Sequence, residues 1–112
     1  IDVQGNLLFF VIAAWEDDFT GYVLDYGTFP DQQRPYFTLR DARLTLSVAT
    51  KASGLEGAIY AGLERVTAEH LGREWRRDDG AMLRIERCLI DANWGSSTDI
   101  VYQFCRQSAH AG

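Results

Sequence analysis

The chain has 112 residues, 46% of them hydrophobic, and a formal charge of −5 from 11 Lys+Arg and 16 Asp+Glu. That length suits one domain around one core and excludes an array of independent units. The composition is that of an ordinary globular protein, which excludes wholesale disorder. The longest apolar run, residues 7–14, is too short to cross a bilayer as a helix. No secretory signal opens the chain. It starts at Ile1-Asp2-Val3-Gln4, without a methionine and already inside a structured element, so it reads as a piece of a longer protein.

Charge is placed unevenly. Residues 1–33 hold Asp2, Glu16, Asp17, Asp18, Asp25 and Asp31 and no Lys or Arg, a balance of −6; the remainder balances at +1. Nothing here has the basic stripe of a DNA-binding arm. Cys88 and Cys105 lie 17 residues apart without a partner motif. The favoured reading is buried free thiols of a reducing compartment, with a disulfide between them as the alternative, and the soft ligands are too few for structural zinc.

In chain order, residues 7–14 lack polar alternation and predict a strand buried on both faces near a sheet centre. Glu16-Asp17-Asp18 is a turn, and residues 21–27 complete an antiparallel hairpin. Residues 29–35 form a loop. Residues 38–49 are ambiguous: Thr38-Leu39-Arg40-Asp41 suggests a capping box, whereas Leu44, Leu46 and Val48 alternate as in a strand; the reading favours a helix. Leu55, Ile59, Leu63, Val66 and His70 form one face of a helix that Gly72 stops.

Residues 74–77 and 82–91, joined at Asp78-Asp79-Gly80, predict a second hairpin. A loop after Asp91 leads to a final helix capped by Ser96 or Ser97, with Asp99 favouring its N-terminus. On that helix Ile100, Val101, Phe104 and Cys105 share a face. The expected architecture is α/β: both hairpins feed one mixed sheet of about four strands, with two or three flanking helices.

Two acids stand at predicted strand ends, Asp2 on the first strand and Asp91 on the last. Carboxylates converging at a sheet edge beside a helix N-terminus suit Mg²⁺ or Mn²⁺ and phosphodiester hydrolysis. Spacing alone carries little weight, since a chain with sixteen acids places some near strand ends by chance. Arg76 and Arg77 are candidate phosphate contacts, or a solvated hairpin arm. Trp94 is a candidate base-stacking residue, or a cover for the core edge. Asp25 and Glu56 read better as a strand-end acid and a helix-dipole acid. His70 and His110 do not look like general bases.

The residues around the acids add a resemblance. Ile90-Asp91, then Gly95, Thr98 and Val101-Tyr102-Gln103-Phe104-Cys105-Arg106, resemble the nuclease segment of the lambda-like tailed-phage terminase large subunit. The opening Asp2-Val3-Gln4 with its apolar strand and Trp15 resembles that family's first nuclease strand, with its Asp-x-Gln. Tyr22 to Gly27, and Trp75-Arg76-Arg77 with Asp79-Gly80, are similar to the elements between, in the same order.

The resemblance implies an RNase H-like fold and a partial nuclease domain over residues 1–112, cutting double-stranded concatemeric viral DNA during packaging. It implies that Asp2 and Asp91 are catalytic ligands of a two-metal Mg²⁺ or Mn²⁺ site, with a third acid beyond Gly112. It further implies the host bacterial cytoplasm as location, and in the parent protein an ATPase domain upstream and the terminase small subunit and portal as partners. No Gly-x-x-x-x-Gly-Lys-Ser/Thr loop occurs here, so ATP hydrolysis is not expected of this segment. Asp91-Ala92-Asn93-Trp94-Gly95 departs from the family's Asp-Ser-Gly and lengthens the loop. The competing readings are a non-catalytic assembly module of the same fold, or another RNase H-like enzyme such as a transposase or resolvase.

Overall fold

A computed structural model describes residues 1–34, 37–42, 44–52, 54–91, 95 and 98–110. Three strands, β1 (Asp2–Val3), β2 (Leu8–Trp15) and β3 (Gly21–Phe29), form an antiparallel sheet in the order β1-β2-β3. The short polar turn at residues 16–20 makes the β2–β3 hairpin, as expected. Its register runs from Leu8↔Phe29 to Ile12↔Asp25, then slips, so that Ala13 faces Val23 and Leu24 is the extra residue of a bulge.

Helices α1 (Leu46–Thr50), α2 (Gly54–Leu71) and α3 (Thr98–Gln107) complete the main body. Along α2, Ala58, Ile59, Gly62, Leu63, Val66, Thr67 and His70 are buried, a 3.6-residue periodicity on one stripe. That stripe packs with Val3 and Leu8 of the sheet, Leu46 of α1, and Ile100, Val101 and Phe104 of α3. Tyr60 meets Phe104 edge-on at 5.4 Å. Gly62 allows α1 its close approach: a Cβ there would stand 2.6 Å from Leu46 Cδ2.

Several expectations need correcting. Strand β2 is central in its sheet, but it is not buried on both faces. Leu8 and Ile12 are buried, whereas Val11, Ala13 and Trp15 on the alternate face are exposed. The apolar run overstated burial because all of its residues suit a core, while the core cluster takes up only one face.

The helix expected over 38–49 is split. A 3₁₀ turn at Leu39–Asp41 precedes α1, and Thr38 makes no side-chain cap hydrogen bond. Thr45 caps α1 instead, its Oγ1 accepting from the Val48 N–H at 3.4 Å, and Lys51 ends the helix in a left-handed conformation.

The single mixed sheet of about four strands is also corrected. The second hairpin is a separate two-stranded sheet of β4 (Trp75–Arg76) and β5 (Met82–Leu83). Residues 84–90 continue without strand structure, because Arg84, Glu86 and Arg87 keep them in water and only Ile85 and Ile90 are half-buried. The caps expected at Ser96 or Ser97 lie outside the described residues.

Both cysteines are free, as read, but both are exposed rather than buried. The face assigned to α3 keeps Ile100, Val101 and Phe104 and loses Cys105. Desolvation still pushes the Cys88 thiol up from its ordinary pKa, with the nearby Cys105 sulfur adding to the shift and the N-terminal ammonium opposing it.

Leu63→Ala empties a fully buried site and should cost about 2–5 kcal/mol in urea unfolding; a loss below roughly 1 kcal/mol would contradict the packing described. In a Cys105→Ser background, Cys88 should be alkylated by iodoacetamide more slowly than a small free thiol at about pH 8, the gap narrowing as pH rises. Equal rates at that pH would contradict the upward shift.

Candidate functional site

Asp2 and Asp91 are 89 residues apart in sequence (91 − 2) and face each other across a parallel β-bridge. The Asp91 N–H donates to the Ile1 carbonyl at 2.8 Å, and the Ile1 ammonium donates to the Leu89 carbonyl at 2.7 Å. Bridge partners sit one inter-strand spacing apart, about 4.8 Å, with side chains on the same face.

The local sequence dictates which face that is. Val3, next to Asp2, is 1% exposed and points into the core, and Ile90, next to Asp91, packs against the same core. Alternation along each segment then turns both carboxylates to the opposite face, away from the buried helix stripe. Asp2 is half-buried and Asp91 is exposed.

Gln4 completes this edge. Its Nε2 donates to Asp2 Oδ2 at 2.7 Å, fixing the carboxylate's orientation. The sequence marks Gln4 only through the Asp-x-Gln spacing and does not single it out as a site residue. Its backbone N–H also donates to the Leu7 carbonyl at 2.9 Å, which holds the turn that returns β1 to β2.

The other candidates fall elsewhere. Asp25 pairs in register with Ile12, on the face opposite Asp2, and its Oδ1 accepts from the Tyr26 N–H at 2.8 Å. It is mid-strand and half-buried rather than an exposed strand end. Arg76 lies on β4 and Arg77 in the turn beyond it, in the separate sheet, with Arg77 3.5 Å from Asp79. An exposed pair of this kind contributes little to stability.

Glu56 occupies the first turn of α2, as the dipole favours. His70 is buried with its ring 4.6 Å from that of Phe10, a packing role rather than a general base. His110 sits in the turn after α3. Trp94 lies outside the described residues.

Chemically, this edge offers two hard-oxygen donors side by side and an amide that orients one of them. Among the described residues, no group of three or more His, Cys, Asp or Glu side chains is arranged to hold a metal ion. No helix among them is long and apolar enough to cross a membrane.

Comparison with known proteins bears on the whole chain. No curated protein matches it, and no solved structure does. The model of one family, "Terminase large subunit gpA, endonuclease domain", matches residues 1–111. The run from Asp2-x-Gln4 through Asp91 to the Val101-Tyr102 helix is thus matched from end to end, and the chain belongs to the endonuclease domain family of the terminase large subunit.

Proposed function

We propose that this domain is the metal-dependent nuclease of a phage terminase, cleaving double-stranded viral DNA at Asp2 and Asp91. The observation that carries the reading is the bridge, which sets side by side two acids 89 positions apart (91 − 2) in a family of endonucleases. Support for an RNase H-like sheet comes from strand order. Strands β1, β2 and β3 are antiparallel neighbours, and a later segment returns parallel beside β1.

The donor set fits Mg²⁺ or Mn²⁺. Mg²⁺ is typically held by one or two carboxylates and keeps water and substrate phosphate oxygens in its other positions. Asp2 would hold both ions of a two-metal site and Asp91 one of them, while Gln4 keeps the Asp2 carboxylate turned. Bound there, the metal would lower the pKa of an attacking water and offset the charge developing on phosphorus. The duplex would approach from the face carrying the two acids, opposite the buried helix stripe. Arg76 and Arg77, on an exposed hairpin, would contact backbone phosphates and position the strand without reading its sequence. The remaining partners under this reading are the terminase small subunit and portal, in the cytoplasm of a bacterial host.

Asp2→Asn and Asp91→Asn, made in the full-length protein, should each abolish Mn²⁺-dependent nicking of supercoiled plasmid while leaving the thermal transition intact. Undiminished nicking by either variant would sink the assignment. Absence of Mn²⁺ binding to the wild-type protein would favour the non-catalytic assembly module. Gln4→Ala removes only the orienting amide, so it should weaken Mn²⁺ affinity by roughly 10–100-fold, measured by calorimetry. Unchanged affinity would limit Gln4 to a structural role.

A further inference from the structure

The face of the β2–β3 hairpin that carries no core is apolar and open. Val11 and Tyr26 are register partners on it, as are Ala13 and Val23, and Trp15 faces Gly21. Trp15 is 69% exposed, Tyr26 78% and Val23 65%. The indole of Trp15 lies flat across the neighbouring strand: a Cβ at Gly21 would stand 2.5 Å from its Cζ3. At the tip, Phe19 is 84% exposed in a left-handed conformation (φ 65°) that is costly for a residue other than glycine.

That conformation is held by a compact turn. The Phe19 N–H donates to the Glu16 carbonyl, the Glu16 N–H to the Thr20 carbonyl, and the Thr20 N–H to Asp18 Oδ1. The aromatic side chains therefore stand on a framed surface rather than a loose loop.

Charge narrows what would cover this face. Glu16, Asp17 and Asp18 rim its tip, and residues 1–33 contain no Lys or Arg at all. Seated over that tip, a nucleic-acid duplex or an anionic lipid surface would meet like charge. A second copy of this chain would bring the same acids to the same rim. A segment bearing Arg or Lys would instead gain ion pairs at the rim and cation–π contacts on Trp15 and Tyr26, while its apolar side chains cover Val11 and Val23.

We propose that this hairpin face is a docking surface for a basic, apolar-bearing segment of a protein partner. It does not depend on the nuclease reading, but the two share a sheet face: Asp2 pairs with Phe9 and so lies on the same side as Val11 and Trp15, and the docking surface runs from there to the acidic tip.

The test is fluorescence anisotropy of the full chain with a labelled synthetic peptide of Arg, Leu and Ala, compared with the same peptide carrying Glu for Arg. Saturable binding of the basic peptide and none of the acidic one is expected. It should weaken about tenfold or more in Trp15→Ala with Tyr26→Ala, and likewise in Glu16→Lys with Asp17→Lys. Asp78→Lys with Asp79→Lys, on the other hairpin, should leave it unchanged. The reversals at Glu16 and Asp17 alter exposed side chains and leave the Thr20 N–H bond to Asp18 in place, so they decide the matter even where the aromatic double variant fails to fold. Equal affinity in all variants, preference for the acidic peptide, or a dimer in sedimentation that Glu16→Lys with Asp17→Lys alters would each overturn the proposal.

Discussion

The bond from the Asp91 N–H to the Ile1 carbonyl ties together two parts of the chain that lie far apart in sequence. Closing a loop of this length costs conformational entropy that one hydrogen bond does not recover. The core supplies the difference. Val3 and Ile90 flank the bridge, and both pack into the cluster built on α2. The site is therefore a by-product of burial: the residues that enter the core hold the acids that do not.

The same logic shows what was legible in the sequence. Periodicity identified α2 and its buried stripe, because five apolar or aromatic-packing positions at spacings of three and four leave no alternative period. The β2–β3 hairpin was legible from its polar turn. The second hairpin was legible only in part. Turn chemistry located it, but of the strand expected over residues 82–91 only Met82 and Leu83 pair. Whether a strand finds a neighbour is a tertiary fact that local pattern does not contain. The burial of β2 failed for a related reason, since apolar composition cannot say whether the second face of a strand has anything to pack against.

Asp2 and Asp91 were legible by resemblance rather than by spacing, and their juxtaposition across a bridge is a statement of topology. Gln4 shows the reverse case. Its position two residues after Asp2 puts it on the same side of the extended chain, yet its worth lies in the 2.7 Å bond to Oδ2, which no pattern specifies. Asp25 shows how register decides such matters. A shift of one residue in the β2–β3 pairing would move it to the face of Asp2, and the bulge at Leu24 begins only after the Ile12↔Asp25 pair.

The β4–β5 hairpin has two residues in each strand, with Trp75 under the Arg73 guanidinium at 4.1 Å and Arg84 reaching Glu74 at 2.8 Å. A two-stranded ribbon of that size is marginal by itself in water. It belongs to the low end of the molecule's local stability range, and the Leu8–Leu63 core belongs to the high end. The fold thus has two mechanical grades, a rigid block that fixes the carboxylates and a compliant arm carrying Arg76 and Arg77. An arm of that grade adapts to the shape of whatever it touches at little cost, and the geometry at Asp2 is left undisturbed.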